Sequence, residues 1–141
     1  MKFALAFKIW IIAVAINTLG GTIMLTAFDG MTDMAPLIFF YGLLFGVPVS
    51  IPALVVMYAM IDYYVTSETK HMVLFRAALI TALIMSVVAW ILFTAFFSRG
   101  SYGDLHFLWL AIFSGVSATS TQYRSFKRIV EREESFETIQ P

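Results

Sequence analysis

LIFFYGLLFGVPVSIPALVVMYAMI, residues 37–61, runs for 25 residues without a charge, yet carries Gly42 and Gly46 four apart and Pro48 and Pro52 four apart. Inside a helix in water each proline costs about 3 kcal/mol and each glycine about 1 kcal/mol. A lipid bilayer changes that balance. About 20 apolar residues cross the hydrocarbon, and neighbouring helices can satisfy the backbone groups that a proline frees. The run reads as a membrane-crossing helix kinked near its middle, with the carbonyls of Leu44 and Pro48 left without their usual donors. Gly42 and Gly46 have the spacing that lets a second helix backbone approach closely.

Similar runs flank it. Ile9–Phe28 and Ala77–Ser98 are also long and uncharged, and Leu105–Tyr123 is a weaker candidate with a greasy first half (LHFLWLAIF) and a small, polar second half (SGVSATSTQ). The 60% hydrophobic and 13% charged composition of the 141 residues lies outside the soluble range. A signal peptide cut near Ala13 or Ala15 would leave half a span, so the first run is expected to be a retained helix. The expected fold is all-α: a polytopic membrane protein, a four-helix up-down bundle over residues 1–123. Its helices fall at about 7–28, 37–62, 73–98 and 105–123. Residues 124–141 form a charged cytoplasmic tail that extends helix four.

Charge placement supplies a direction. Formal net charge is zero, but eight of nine Lys and Arg residues lie in the N-terminal flank, the middle loop or the tail, leaving only Arg99 in the other two loops. By the positive-inside rule both termini are cytoplasmic. A compact chain without an organelle-targeting segment is expected in the inner (plasma) membrane, passing through several times.

Polar residues inside the spans are few. Asn17 is the only asparagine, and counting from span centres puts it roughly level with the Pro48 carbonyl, to which its amide is expected to donate. Small residues on every span, Gly115 and Ala118 among them, suggest close packing. Ser114, Ser117 and Thr121 are candidates for lining a pore, and Arg124, Lys127, Arg128 and Arg132 for touching anionic lipid headgroups. Phe126, Val130 and Phe136 follow helical spacing in the tail and offer a docking stripe for a partner. Asp62 and Arg76 are expected to pair at the cytoplasmic edge.

Chemistry is hard to find. With no cysteine, thiolate metal sites and disulfides are excluded. No carboxylate lies deep in a span, which disfavours proton-driven transport. His71 and His106 fall at opposite ends of the bundle and cannot share a metal. No catalytic triad, phosphate loop or nucleic-acid motif is legible. The chain is therefore expected to be no enzyme, to need no cofactor or metal, and to bind lipid bilayer but no nucleic acid. The first functional reading is an accessory or scaffold subunit acting through helix packing, with a second copy or another membrane protein as partner. The second is an oligomeric pore or channel lined by helix four or by kinked helix two. The third is a small carrier not coupled to protons.

Overall fold

A computed structural model describes residues 1–28, 30, 32–65, 70–97 and 105–137, with the side chains of 28, 96, 97, 133, 134, 136 and 137 left aside. The described residues form five α-helices and no strand: α1 (Lys2–Phe28), α2 (Ala35–Tyr64), α3 (His71–Phe97), α4 (Leu105–Thr121) and α5 (Tyr123–Glu137). A short 3₁₀ turn, Thr32–Met34, precedes α2. Gly30, at φ 68°, supplies a left-handed backbone step between α1 and that turn. Pro36 lies in the first turn of α2, where its missing N–H would have had no helical partner.

Three helices are long and apolar enough to cross a membrane, at Lys2–Ala27, Thr32–Tyr64 and His71–Ala95, and α4 is a shorter apolar helix. Two helices overrun the apolar spans, α1 at its start and α2 at both ends: α1 begins at Lys2 rather than near residue 7, and α2 covers Ala35–Tyr64 rather than 37–62. Hydropathy marks where a helix meets lipid, whereas its end is set by packing, and here Leu5 and Ala6 are buried at 3% and 0% exposure.

Consecutive helices pack side by side and α4 closes against α1, so α1 lies diagonal to α3 and α2 diagonal to α4. The side-chain distribution is inverted relative to a water-soluble bundle. Ala6, Ala78 and Ala118 are fully buried, whereas Ile23, Phe40, Trp109 and Phe113 are each more than 60% exposed. Large apolar side chains on the outer faces and alanines between helices suit a hydrocarbon surround, where close backbone approach drives association.

The tail departs from a straight extension of α4. Gln122 N–H donates to the Thr119 carbonyl (3.1 Å), and the Gln122 carbonyl accepts from Ser125 (2.8 Å) and Phe126 (3.1 Å), so one helix ends and another begins at this residue. The amphipathic α5 then packs against α3, α1 and α4. Phe126, Ile129 and Val130 are buried with Leu5, Ile9, Ile61, Val65 and Leu74 in one apolar cluster. These three residues pack within their own chain. The Phe136 side chain lies outside the described residues.

Candidate functional site: a central cavity

The packing of α1 on α2 positions the site. Trp10 Nε1 donates to Ser50 Oγ at 2.9 Å and to the Ser50 carbonyl at 3.2 Å. Two turns further along α1, the methyl of Thr18 lies 3.1 Å from where a Cβ on Gly42 would stand. Phe3 meets Tyr58 edge to face at 5.8 Å. These contacts define one antiparallel register, in which residue numbers on α2 fall as those on α1 rise.

Between the Trp10–Ser50 and Thr18–Gly42 contacts the two helices part. A Cβ added at Gly46 would meet nothing within 4 Å. The space belongs to a cavity of about 120 Å³ lined by all four bundle helices. Its wall includes Trp10, Asn17 and Thr18 from α1, Ser50 from α2, Ser86 from α3 and Ser114 from α4. Alanines 13, 53, 82, 89 and 111 contribute little bulk, which is why space remains. Asn17 lines the cavity and is itself exposed.

The wall's polar groups differ in what they have left to offer. Ser50 Oγ donates to the Val47 carbonyl at 3.0 Å, Ser86 Oγ to the Ala82 carbonyl at 2.8 Å and Ser114 Oγ to the Ala111 carbonyl at 2.8 Å. Each hydroxyl proton is thus committed to its own helix, leaving oxygen lone pairs. Among the described residues the buried polar side-chain atom without a hydrogen bond is Trp90 Nε1, outside the cavity wall. No Asp, Glu, Lys, Arg or His lines the cavity among the described residues.

The structure redraws two expected pairings. Asn17 does not reach the Pro48 carbonyl: the observed register sets it opposite about residue 43, roughly 7 Å along the axis from Pro48 at 1.5 Å per residue. Counting from span centres misjudged the stagger between the helices. Asp62 pairs with Lys2 (3.1 Å) across α1 and α2, rather than with Arg76.

The other sequence candidates are distributed as follows. Pro48 and Pro52 lie inside a continuous α2 with exposed rings on its outer face. A Cβ on Gly115 would come 2.6 Å from Ser86 Oγ and 3.4 Å from the Ala82 carbonyl, so α4 and α3 meet there almost backbone to backbone. Gly20 is met by the Leu110 side chain rather than by the backbone of α4. Ala118 is fully buried. Ser114 belongs to the cavity wall; Ser117 does not, and Thr121 is exposed with its hydroxyl on the Ala118 carbonyl at 2.8 Å. Arg124, Lys127, Arg128 and Arg132 are exposed. Lys127 pairs with Glu131 at 3.6 Å, and Arg132 Nη1 donates to Met1 Sδ at 3.0 Å.

Toward the end that carries Met1 and α5, the cavity gives way to side chains without exposure: Ile61, Leu74 and Phe126. Phe126 packs at 5.9 Å from the Phe75 ring, which itself meets Tyr123 at 5.0 Å. The fold and site together define an all-helical, membrane-compatible bundle around a mostly apolar cavity with no charged side chain among its described lining residues. No family model, curated protein or solved structure matches the chain.

Proposed function

We propose that this protein crosses the inner membrane four times, with both termini cytoplasmic, and acts as a small carrier not coupled to protons whose cargo site is the central cavity. One observation carries the reading: four helices converge near mid-span on a mostly apolar space with a few polar side chains, Asn17, Thr18 and Ser50 among them, in its wall. Carriers place their sites near the bilayer midplane, often beside helices interrupted by Gly or Pro, and α2 brings Gly46 to the wall and Pro48 close by. Among the described residues the wall carries no acid for proton coupling. It is complete within one chain, so the reading requires no second copy.

The competing readings draw less support. Small faces that would serve a scaffold are used between this chain's own helices, Gly115 against Ser86 and Gly20 against Leu110. A pore through one chain meets the buried Phe126, Ile61 and Leu74 at one end.

The absence of native cysteine permits a direct test by single-cysteine labelling in native membranes. Asn17→Cys should react with the small neutral reagent 2-hydroxyethyl methanethiosulfonate. Leu19→Cys, at nearly the same depth on an exposed apolar position, should not, because a thiol in hydrocarbon stays protonated and inert. Equal reactivity at both sites, or none at Asn17→Cys, overturns the proposal.

A further inference from the structure

We infer that the seam between α3 and α5 binds one anionic phospholipid, with Arg76, Arg124 and Arg128 on its phosphate and the outer face of α3 along its acyl chain. The inference needs the membrane crossing proposed above, but neither the cavity nor a cargo. Tyr123 of α5 meets the Phe75 ring of α3 edge to face at 5.0 Å, and Phe126 meets the same ring at 5.9 Å. Arg76 directly follows Phe75 and Arg124 directly follows Tyr123, so each helix places a guanidinium beside one aromatic contact. Arg128 comes one helical turn after Arg124, on the same face of α5. All three arginines are exposed.

Charge and depth together select the ligand. The carboxylates whose side chains are described at this end are already engaged, Asp62 by Lys2 at 3.1 Å and Glu131 by Lys127 at 3.6 Å. Arg76, Arg124 and Arg128 have no carboxylate within ion-pair distance among the described residues, which leaves their charge for an outside anion. A guanidinium presents a planar fork that matches phosphate. Along α3, Ile80 and Ile84 continue the face of Arg76 in four-residue steps, and both are more than half exposed. At 1.5 Å per residue they lie about 6 and 12 Å beyond it, inside the roughly 15 Å of hydrocarbon that one leaflet supplies. Cations at the head of a bare apolar stripe suit a phospholipid, whereas a soluble phosphate would leave the stripe unused. Lys127 and Arg132 add less, the first being paired with Glu131 and the second turned to Met1 Sδ at 3.0 Å.

Native mass spectrometry of the detergent-solubilised full chain tests the inference, with dioleoylphosphatidylglycerol and dioleoylphosphatidylcholine as matched probes. One phosphatidylglycerol should be retained, with an affinity on the order of 100-fold above phosphatidylcholine, about fivefold for each of the three cations. Arg76→Gln and Arg124→Gln should each cut that preference about fivefold, whereas Arg76→Lys should keep most of it and Lys127→Gln nearly all. Each substitution is at an exposed position, so thermal midpoints should not move. The soluble headgroup sn-glycerol 3-phosphate, at equal concentration, should not displace the lipid. Equal retention of the two lipids, displacement by glycerol 3-phosphate, or a preference that Lys127→Gln lowers as far as Arg76→Gln does overturns the inference. None of these results bears on labelling at Asn17→Cys, which tests the carrier reading separately.

Discussion

The indole N–H of Trp10 is shared between the hydroxyl and the carbonyl of Ser50, at 2.9 and 3.2 Å, and this pair ties α1 to α2 within the cavity wall. Trp10→Phe retains a ring but loses the donor. The expected loss is about 1 kcal/mol, since interhelical hydrogen bonds in membranes average roughly 0.6 kcal/mol and reach about 1.7. Ser50→Ala should cost less, because the carbonyl still accepts. Reversible unfolding in mixed micelles, run as a double-mutant cycle, would show the coupling; strict additivity would mean that the bond contributes nothing.

Two glycines should respond oppositely to the same change. Gly115→Ala drives a methyl against Ser86 Oγ and is expected to destabilise the bundle by about 1–3 kcal/mol, the range for overpacking. Adding Ser86→Ala should recover much of that loss. Gly46→Ala meets open space and should be neutral or slightly stabilising, since alanine is the better helix former. Thermal midpoints of the three variants check this ordering.

Phe126 is fully buried, and its removal leaves a hole beneath the bundle. Phe126→Ala should cost about 3–5 kcal/mol and free α5 from its seat. Limited proteolysis of the micelle-embedded protein should then cut within residues 123–137 before any other helix; an unchanged cleavage pattern would show that α5 is held by other contacts.

The Lys2–Asp62 pair is a different case, with side chains 28% and 55% exposed. Exposed ion pairs contribute about 0–1 kcal/mol and are screened by salt. Asp62→Asn should therefore shift stability by less than about 1 kcal/mol in low salt, with no resolvable shift at 1 M sodium chloride. A larger, salt-independent loss would count against this assignment.

The helical class and three long apolar helices were legible because a run such as residues 37–61 leaves the backbone no alternative in hydrocarbon. The cavity was not. It depends on the stagger of α1 against α2, which hydropathy does not contain: an apolar run can slide by a turn and remain equally apolar. Trp10 settles that stagger by reaching Ser50, yet from sequence it reads only as an interfacial aromatic. The helix break at Gln122 escaped for a related reason. Tyr123–Glu137 has a clear apolar stripe, but periodicity reports a face without saying what covers it.

Because α1 and α3 stand at opposite corners and α5 packs against both, the tail acts as a strut across one end of a four-rod frame. A square of rods joined only along its sides can skew into a rhombus; a diagonal member at one end forbids this there and leaves the far end free. Any breathing of the molecule should thus concentrate near Gly20 and Leu110, with Phe126 close to the fixed pivot.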